Sequence, residues 1–116
     1  MRWEVEYTDE FGRWFRRLPA ETQERVIGTV RMIERSGPTT GRPTIDSIVG
    51  SRHSNMKEIR VGTLRILFAF DPRRVAILLL GGDKRGSWSD WYKRAIPLAD
   101  RIYDRHLDDL RKERLS

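Results

Sequence analysis

Between Met56 and Arg94 the sequence sets one carboxylate suited to proton transfer, Glu58, beside a series of cations: Arg60 and Arg65, then Lys84 and Arg85. Alternation along a strand puts Glu58 and Arg60 on one face, and a hairpin about Gly62 brings Arg65 to the same side. Such a set suits cleavage of RNA by attack of its own 2′-hydroxyl on the adjacent phosphate. That reaction needs a proton acceptor, cations at the phosphorane oxygens and a group beside the leaving 5′-oxygen. Glu58 is the candidate acceptor, Arg60 and Arg65 the candidate phosphate cations, and Lys84 or Arg85 the candidate at the leaving group. Glu58 suits a plain salt bridge with Arg60 or Arg65 equally well. Trp88, Trp91 and Tyr92 follow the basic loop closely. Trp88 and Tyr92 are candidates for stacking nucleobases, whereas Trp91 is expected to anchor the last helix on the core.

Other chemistries find little support. The chain has no cysteine, which excludes a thiol nucleophile, a disulfide scaffold and Cys-based metal sites. His53 and His106 share no ligand spacing, and His106 falls on an apolar helical stripe, so neither a metal nor a two-histidine nuclease is expected. GlyGlyAspLysArgGly at 81–86 lacks the spacing of a phosphate-binding loop, and no dinucleotide fingerprint or nucleophile elbow is present. No cofactor is expected.

The charge supports a polyanionic partner. The chain of 116 residues carries 23 Lys and Arg against 17 Asp and Glu, net +6. Residues 51–94 hold 10 basic and 4 acidic side chains, so the whole excess lies there, while the flanking segments are each neutral. A basic block of this kind points to nucleic acid, with Lys57, Arg73, Arg74 and Arg85 as further candidates for holding RNA.

The elements that must position these residues follow from periodicity. Trp3, Val5 and Tyr7 alternate with Glu4 and Glu6, which predicts a strand over Trp3–Tyr7. Thr8 or Asp9 then caps a helix with Phe11, Trp14, Phe15 and Leu18 on one stripe. Pro19 opens a second helix with Val26, Ile27, Val30 and Ile33 aligned, ended by Gly37-Pro38. Residues 37–55 form a long loop, with a turn of strand or helix near Ile45–Val49. Three strands follow, at Met56–Val61, Thr63–Phe70 and Val75–Leu80; the last is apolar throughout and is expected to be covered on both faces. If Leu64, Ile66, Phe68 and Phe70 face the core, Arg65 points to the open face. A short helix near Ser89–Ala95 precedes a C-terminal helix with Pro97 at its first position and Ala99, Ile102, Tyr103, His106, Leu107 and Leu110 on one stripe. The expectation is a single α+β domain over 1–116, in the order β-α-α-β-β-β-α, with a mainly antiparallel sheet and helices packed on one face.

The stretches GRPTIDSIVGS, SRHSNMKEIRV, LRILFAFDPRRVAILLLGGDKRG and WYKRAIPLADRIYDRHLDDL occur in an order and spacing that resembles the phage-derived HigB-like toxins of the RelE/ParE superfamily. The resemblance spans about residues 36–110, and the helical hairpin before it fits the same layout. It implies the compact RelE fold and the toxin of a type II toxin–antitoxin pair, an endoribonuclease that cuts mRNA in the ribosomal A site without metal. It further implies neutralisation by a helix-turn-helix, HigA-like antitoxin encoded next door, with operator DNA bound only through that complex. By position, Arg65 resembles the family's phosphate-stabilising arginine and Lys84 the basic residue assigned as general acid, often an arginine. Glu58 stands where relatives carry a lysine or a glutamate acting as base, and the Tyr92 region matches a tyrosine that stacks on or orients the cut nucleotide. Lys57 sits one position from the expected strand face. A ParE-like inhibitor of DNA gyrase with the same fold and a non-catalytic nucleic-acid-binding module are the alternatives; the Glu58/Arg60/Arg65/Lys84 set favours the nuclease. The charged start MRWEVEYTDE and the absence of a long apolar run lead to the expectation of a cytoplasmic protein with no membrane partner.

Overall fold

The computed structural model describes residues 2–85 and 88–115, the side chains of Trp88 and Leu115 excepted. Strand β1 (Val5–Tyr7) leads into α1 (Asp9–Arg16), where the Thr8 hydroxyl accepts from the Phe11 N–H at 3.1 Å and donates to the Leu79 carbonyl at 2.6 Å. One side chain thus caps the helix and ties it to the sheet. Helix α2 (Ala20–Ser36) starts after Pro19 and ends at Gly37, whose positive φ of 55° suits a residue without Cβ. Then come β2 (Ile45–Ser47), β3 (Lys57–Val61), β4 (Leu64–Phe70), β5 (Ala76–Asp83) and the long helix α3 (Trp88–Leu115).

The strands form one five-stranded sheet in the order β1-β5-β4-β3-β2, parallel only between β1 and β5. The α+β class and the mainly antiparallel sheet agree with expectation. The placement of the helices on one face does not. Phe11, Val26 and Ile33 of α1 and α2 pack with Ile59, Ile66, Phe68 and Leu78 on one face. Ala95, Ala99, Ile102 and Tyr103 of α3 pack with Met56, Leu67, Ala69, Ile77 and Leu79 on the other. The physical reason lies in β4 and β5, which are apolar on both faces. Each face needs a cover, and α1 with α2 can supply only one. The covering of β5 on both sides, expected from its composition, holds.

Two further points concern local structure. Of the strand or helix expected near Ile45 the segment is a strand, pairing with β3 at Ile45↔Ile59, Asp46↔Glu58 and Ser47↔Lys57, which adds one strand to the expected order. And Pro97 does not begin a helix: it lies inside α3, on the exposed side. Trp91 and Ala95 continue the stripe of Ala99 and Ile102, so packing on the sheet spans the proline.

Carboxylates, of which Asp100 and Asp71 are buried, fasten the loops to α3. Asp100 accepts from the Ser51 hydroxyl at 2.5 Å and the Arg52 N–H at 3.0 Å; Asp104 pairs with Arg52 and His53, each at 2.7 Å. This clamp holds the loop between β2 and β3 and thereby sets the start of β3. At the same end of the sheet, just past β4, Asp71, fully buried, accepts from the N–H groups of Arg73 and Val75, from the Arg73 guanidinium and from His106. His106 is therefore a core-edge residue bonded to a buried carboxylate.

Candidate functional site

The candidate residues meet on the α3 face of the sheet, at the end where β3 and β4 turn about Gly62. Register decides this. Arg60 lies directly opposite Arg65, Glu58 opposite Leu67, and Arg65 opposite Gly82 of β5. Arg65 makes a rigid anchor: its Nη1 donates to the carbonyls of Gly62 at 2.7 Å and Leu64 at 2.8 Å, with the side chain 8% exposed. Its Nε is buried, 3.8 Å from Glu58 Oε1, and has no hydrogen-bond partner.

Glu58 is also buried. Its Oε2 accepts from Arg60 Nε at 3.1 Å and Nη2 at 3.0 Å, and its Oε1 accepts from the Tyr92 hydroxyl at 2.5 Å. Burial and the Glu58 carboxylate raise the Tyr92 pKa above the ordinary phenol value, while the Arg65 guanidinium beside it pulls the other way. The hydrogen bond to Glu58, followed by the charge of that carboxylate, raises the Arg60 pKa against the opposing cost of its burial. Tyr92 is thus tied to the carboxylate by its phenol, and its ring packs edge-on against Trp91 at 5.1 Å.

A bulge in β5 shapes the floor. Leu79 and Leu80 together face the single residue Leu67, which reverses the alternation, so Gly81 meets α1 and Gly82 meets α3. A Cβ on Gly82 would lie 2.3 Å from the Trp91 indole nitrogen, and one on Gly81 would lie 2.4 Å from Trp14. The glycine pair lets an indole close on each face of the strand. Trp91 is accordingly the anchor of α3, as expected, and it sets the start of the helix that carries Tyr92.

Other candidates fall at varying distances from this centre. The Lys84 N–H bonds the Thr63 carbonyl at 3.1 Å, extending the ladder by one residue, and alternation from Gly82 assigns its side chain to the Arg65 face. Arg85 pairs with Asp83 at 3.0 Å nearby. Lys57 alternates with Glu58 and shares the α2 face with Ile59 and Val61, away from the site. Arg73 and Arg74 lie in the β4–β5 turn, at the far end of β4, roughly 17 Å along the strand from Arg65. There Arg73 is engaged by Glu6 and Asp71. The side chain of Trp88 falls outside the described residues.

One member escaped the sequence reading. Asp46 of β2 accepts from Arg60 Nη2 at 3.2 Å while its other oxygen accepts from Arg42 Nε at 3.2 Å and the Ser47 N–H at 2.9 Å. The Ser47 N–H, ahead of Arg42, holds its carboxyl below the usual range, against the opposing cost of desolvation. The signal that could have found it is its pairing opposite Glu58, which requires β2 to be recognised as a strand. Among the described residues no group of His, Asp and Glu is arranged to hold a metal ion, and no helix is long and apolar enough to cross a membrane.

Residues 13–104 match the model of the family described as phage-derived protein Gp49-like (DUF891). The chain is 53% identical over 90 residues to the candidate toxin HigB3 of Mycobacterium tuberculosis, covering 76% of this chain and 79% of that one. It is 43% identical over 104 residues to the candidate toxin HigB2 of the same organism, covering 85% of this chain but only 52% of HigB2, about half its length. The fold is similar to that of an archaeal RelE–RelB complex from Pyrococcus horikoshii, with a TM-score of 0.61 at 14% identity over 75% of this chain and 100% of that one. It is likewise similar to the RelBE2 toxin–antitoxin complex from Mycobacterium tuberculosis, with a TM-score of 0.58 at 16% identity over 72% and 99% of the two chains. At these identities the likeness to the solved structures is one of fold.

Proposed function

Because the chain belongs to the phage-derived Gp49-like family, we propose that it is the toxin of a type II toxin–antitoxin pair. In this reading it is an endoribonuclease that cuts mRNA on the ribosome without metal and so halts translation. The single observation that supports the chemistry best is the buried Arg65 Nε, unpartnered beside the Glu58 carboxylate on a basic sheet face. A buried guanidinium N–H without an acceptor costs free energy, and a movement of the lining that admits a phosphate oxygen would satisfy it.

The residues divide the reaction as follows. The 2′-oxygen attacks phosphorus and its proton passes to Glu58 Oε1, the oxygen that carries the single Tyr92 hydrogen bond. Arg65 and Arg60 stabilise the charge that builds on the phosphorane oxygens. The bond from phosphorus to the 5′-oxygen breaks and Lys84 protonates the leaving alkoxide, giving a 2′,3′-cyclic phosphate and a 5′-hydroxyl. Tyr92 holds Glu58 and offers a ring edge to the cut nucleotide, and Arg85 contributes charge at the rim. A helix-turn-helix antitoxin of the HigA type, encoded adjacently, is the proposed partner, and operator DNA is contacted through that complex.

Induced expression with mapping of mRNA 5′ ends tests the reading. Growth arrest with cuts at in-frame codon positions is the expected result, abolished by Arg65→Ala with Lys84→Ala. DNA breaks dependent on gyrase, with mRNA intact, would overturn it in favour of a gyrase inhibitor.

A further inference from the structure

We propose that Asp46 sets the affinity of the site for RNA by competing with the substrate phosphate for Arg60. The inference rests on the ribonuclease reading only for the identity of the ligand, a phosphodiester of a single-stranded RNA.

Arg60 is held between two carboxylates from adjacent strands. Glu58 binds it through Nε and Nη2, and Asp46 binds the same Nη2 at 3.2 Å. Both carboxylates of the cluster, Asp46 and Glu58, contact this one guanidinium, while Arg42 touches Asp46 and Arg65 stands beside Glu58. A phosphate approaching Arg60 therefore meets a neutralised group.

The two carboxylates are not equivalent. Glu58 is 5% exposed and is fixed at its other oxygen by Tyr92, so releasing Arg60 would strand a buried charge. Asp46 lies on the edge strand, 22% exposed, and keeps the Ser47 N–H and Arg42 as partners when Arg60 leaves. Arg60 itself is 38% exposed. Exchange of Asp46 for a phosphate oxygen is thus the less costly route, with Glu58 still holding the far side of the guanidinium. Asp46 acts on the substrate through Arg60 and is a positioning residue, outside the bond-making set.

The test is equilibrium binding of a labelled 2′-O-methyl oligoribonucleotide pool, which cannot be cleaved, across about 50–300 mM salt. Asp46→Asn keeps an oxygen for Ser47 and removes the charge. It is expected to bind about 3–10-fold tighter at low salt, with the slope of log K against log salt steeper by up to about 0.7, since one negative charge no longer offsets the phosphate contact of Arg60. Asp46→Ser should behave alike. In an Arg60→Gln background the same substitutions should have no effect, because the competition passes through Arg60. Binding that is unchanged or weaker in Asp46→Asn, or a gain that persists with Arg60→Gln, would overturn the proposal. Cleavage of unmodified RNA is scored separately. A chain that shows the Asp46–Arg60 coupling but cuts nothing refutes the ribonuclease reading and leaves this one standing.

Discussion

Replacing Arg65 by alanine should unfold this protein several degrees earlier as well as disable it, and the two effects must be separated. The guanidinium is 8% exposed, donates to the Gly62 and Leu64 carbonyls, and stands 3.8 Å from Glu58. Removing one member of a buried ion pair costs about 3–5 kcal/mol when the other is left unpaired. Glu58 keeps Arg60 and Tyr92, which reduces that figure, while the two freed carbonyls at the turn can recruit water. The net expectation is about 2–4 kcal/mol, or a Tm lower by roughly 8–16 °C for a chain of this size. Arg65→Lys keeps the charge but loses the planar fork, and about half the loss is expected. Thermal and urea unfolding give the stability. Growth arrest and RNA cleavage are then compared at a temperature where every variant is folded. A Tm within about 2 °C of the wild type would refute the account of Arg65 as a buried anchor. Undiminished growth arrest in folded Arg65→Ala with Lys84→Ala would refute the site.

Two further outcomes are expected away from the bond-making groups. Gly82→Ala drives a methyl into the Trp91 indole, whose nitrogen lies 2.3 Å from the position of the new Cβ; a loss of about 1–3 kcal/mol in urea unfolding is expected, with changed tryptophan emission, and unchanged stability would refute the close approach. Asp71 is buried, which opposes ionisation, yet bonds from Arg73 and His106, with those from two backbone N–H groups, hold its pKa below the ordinary value. Because the native pKa is depressed, the stability it confers is full above the unfolded value of about 3.9 and is lost as pH falls from there through the native value. Asp71→Asn should flatten the acid side of the stability–pH profile in that window, and a profile as steep as the wild type's would count against it.

Much of the fold was legible because its strands and helices bury opposite kinds of rows. The stripe of Phe11, Trp14 and Phe15, the hairpin about Gly62 and the all-apolar β5 each carry a period that local sequence displays. The site was legible to the same depth: Glu58, Arg60 and Arg65 lie on neighbouring strands at a separation that a tight hairpin fixes, and the structure brings them together. Pro97 misled because a proline signal is local, whereas the stripe that keeps α3 continuous is read only against the sheet beneath it.

The sequence by itself determined the chemistry available: a thiol-free chain with two histidines, its excess charge confined to residues 51–94, and alternation that separates Glu58 from Lys57. Tertiary structure alone decided which of those cations lie beside Glu58. Arg73 lies too far along β4 and is engaged by Asp71, and Asp46 enters the site from a strand of three residues too short to declare itself. It also decided which helix covers the second sheet face, since whether α3 packs over or beside α1 and α2 depends on distant apolar rows competing for cover. Local periodicity records which side of a strand a residue takes. Only the assembled sheet records what waits on that side.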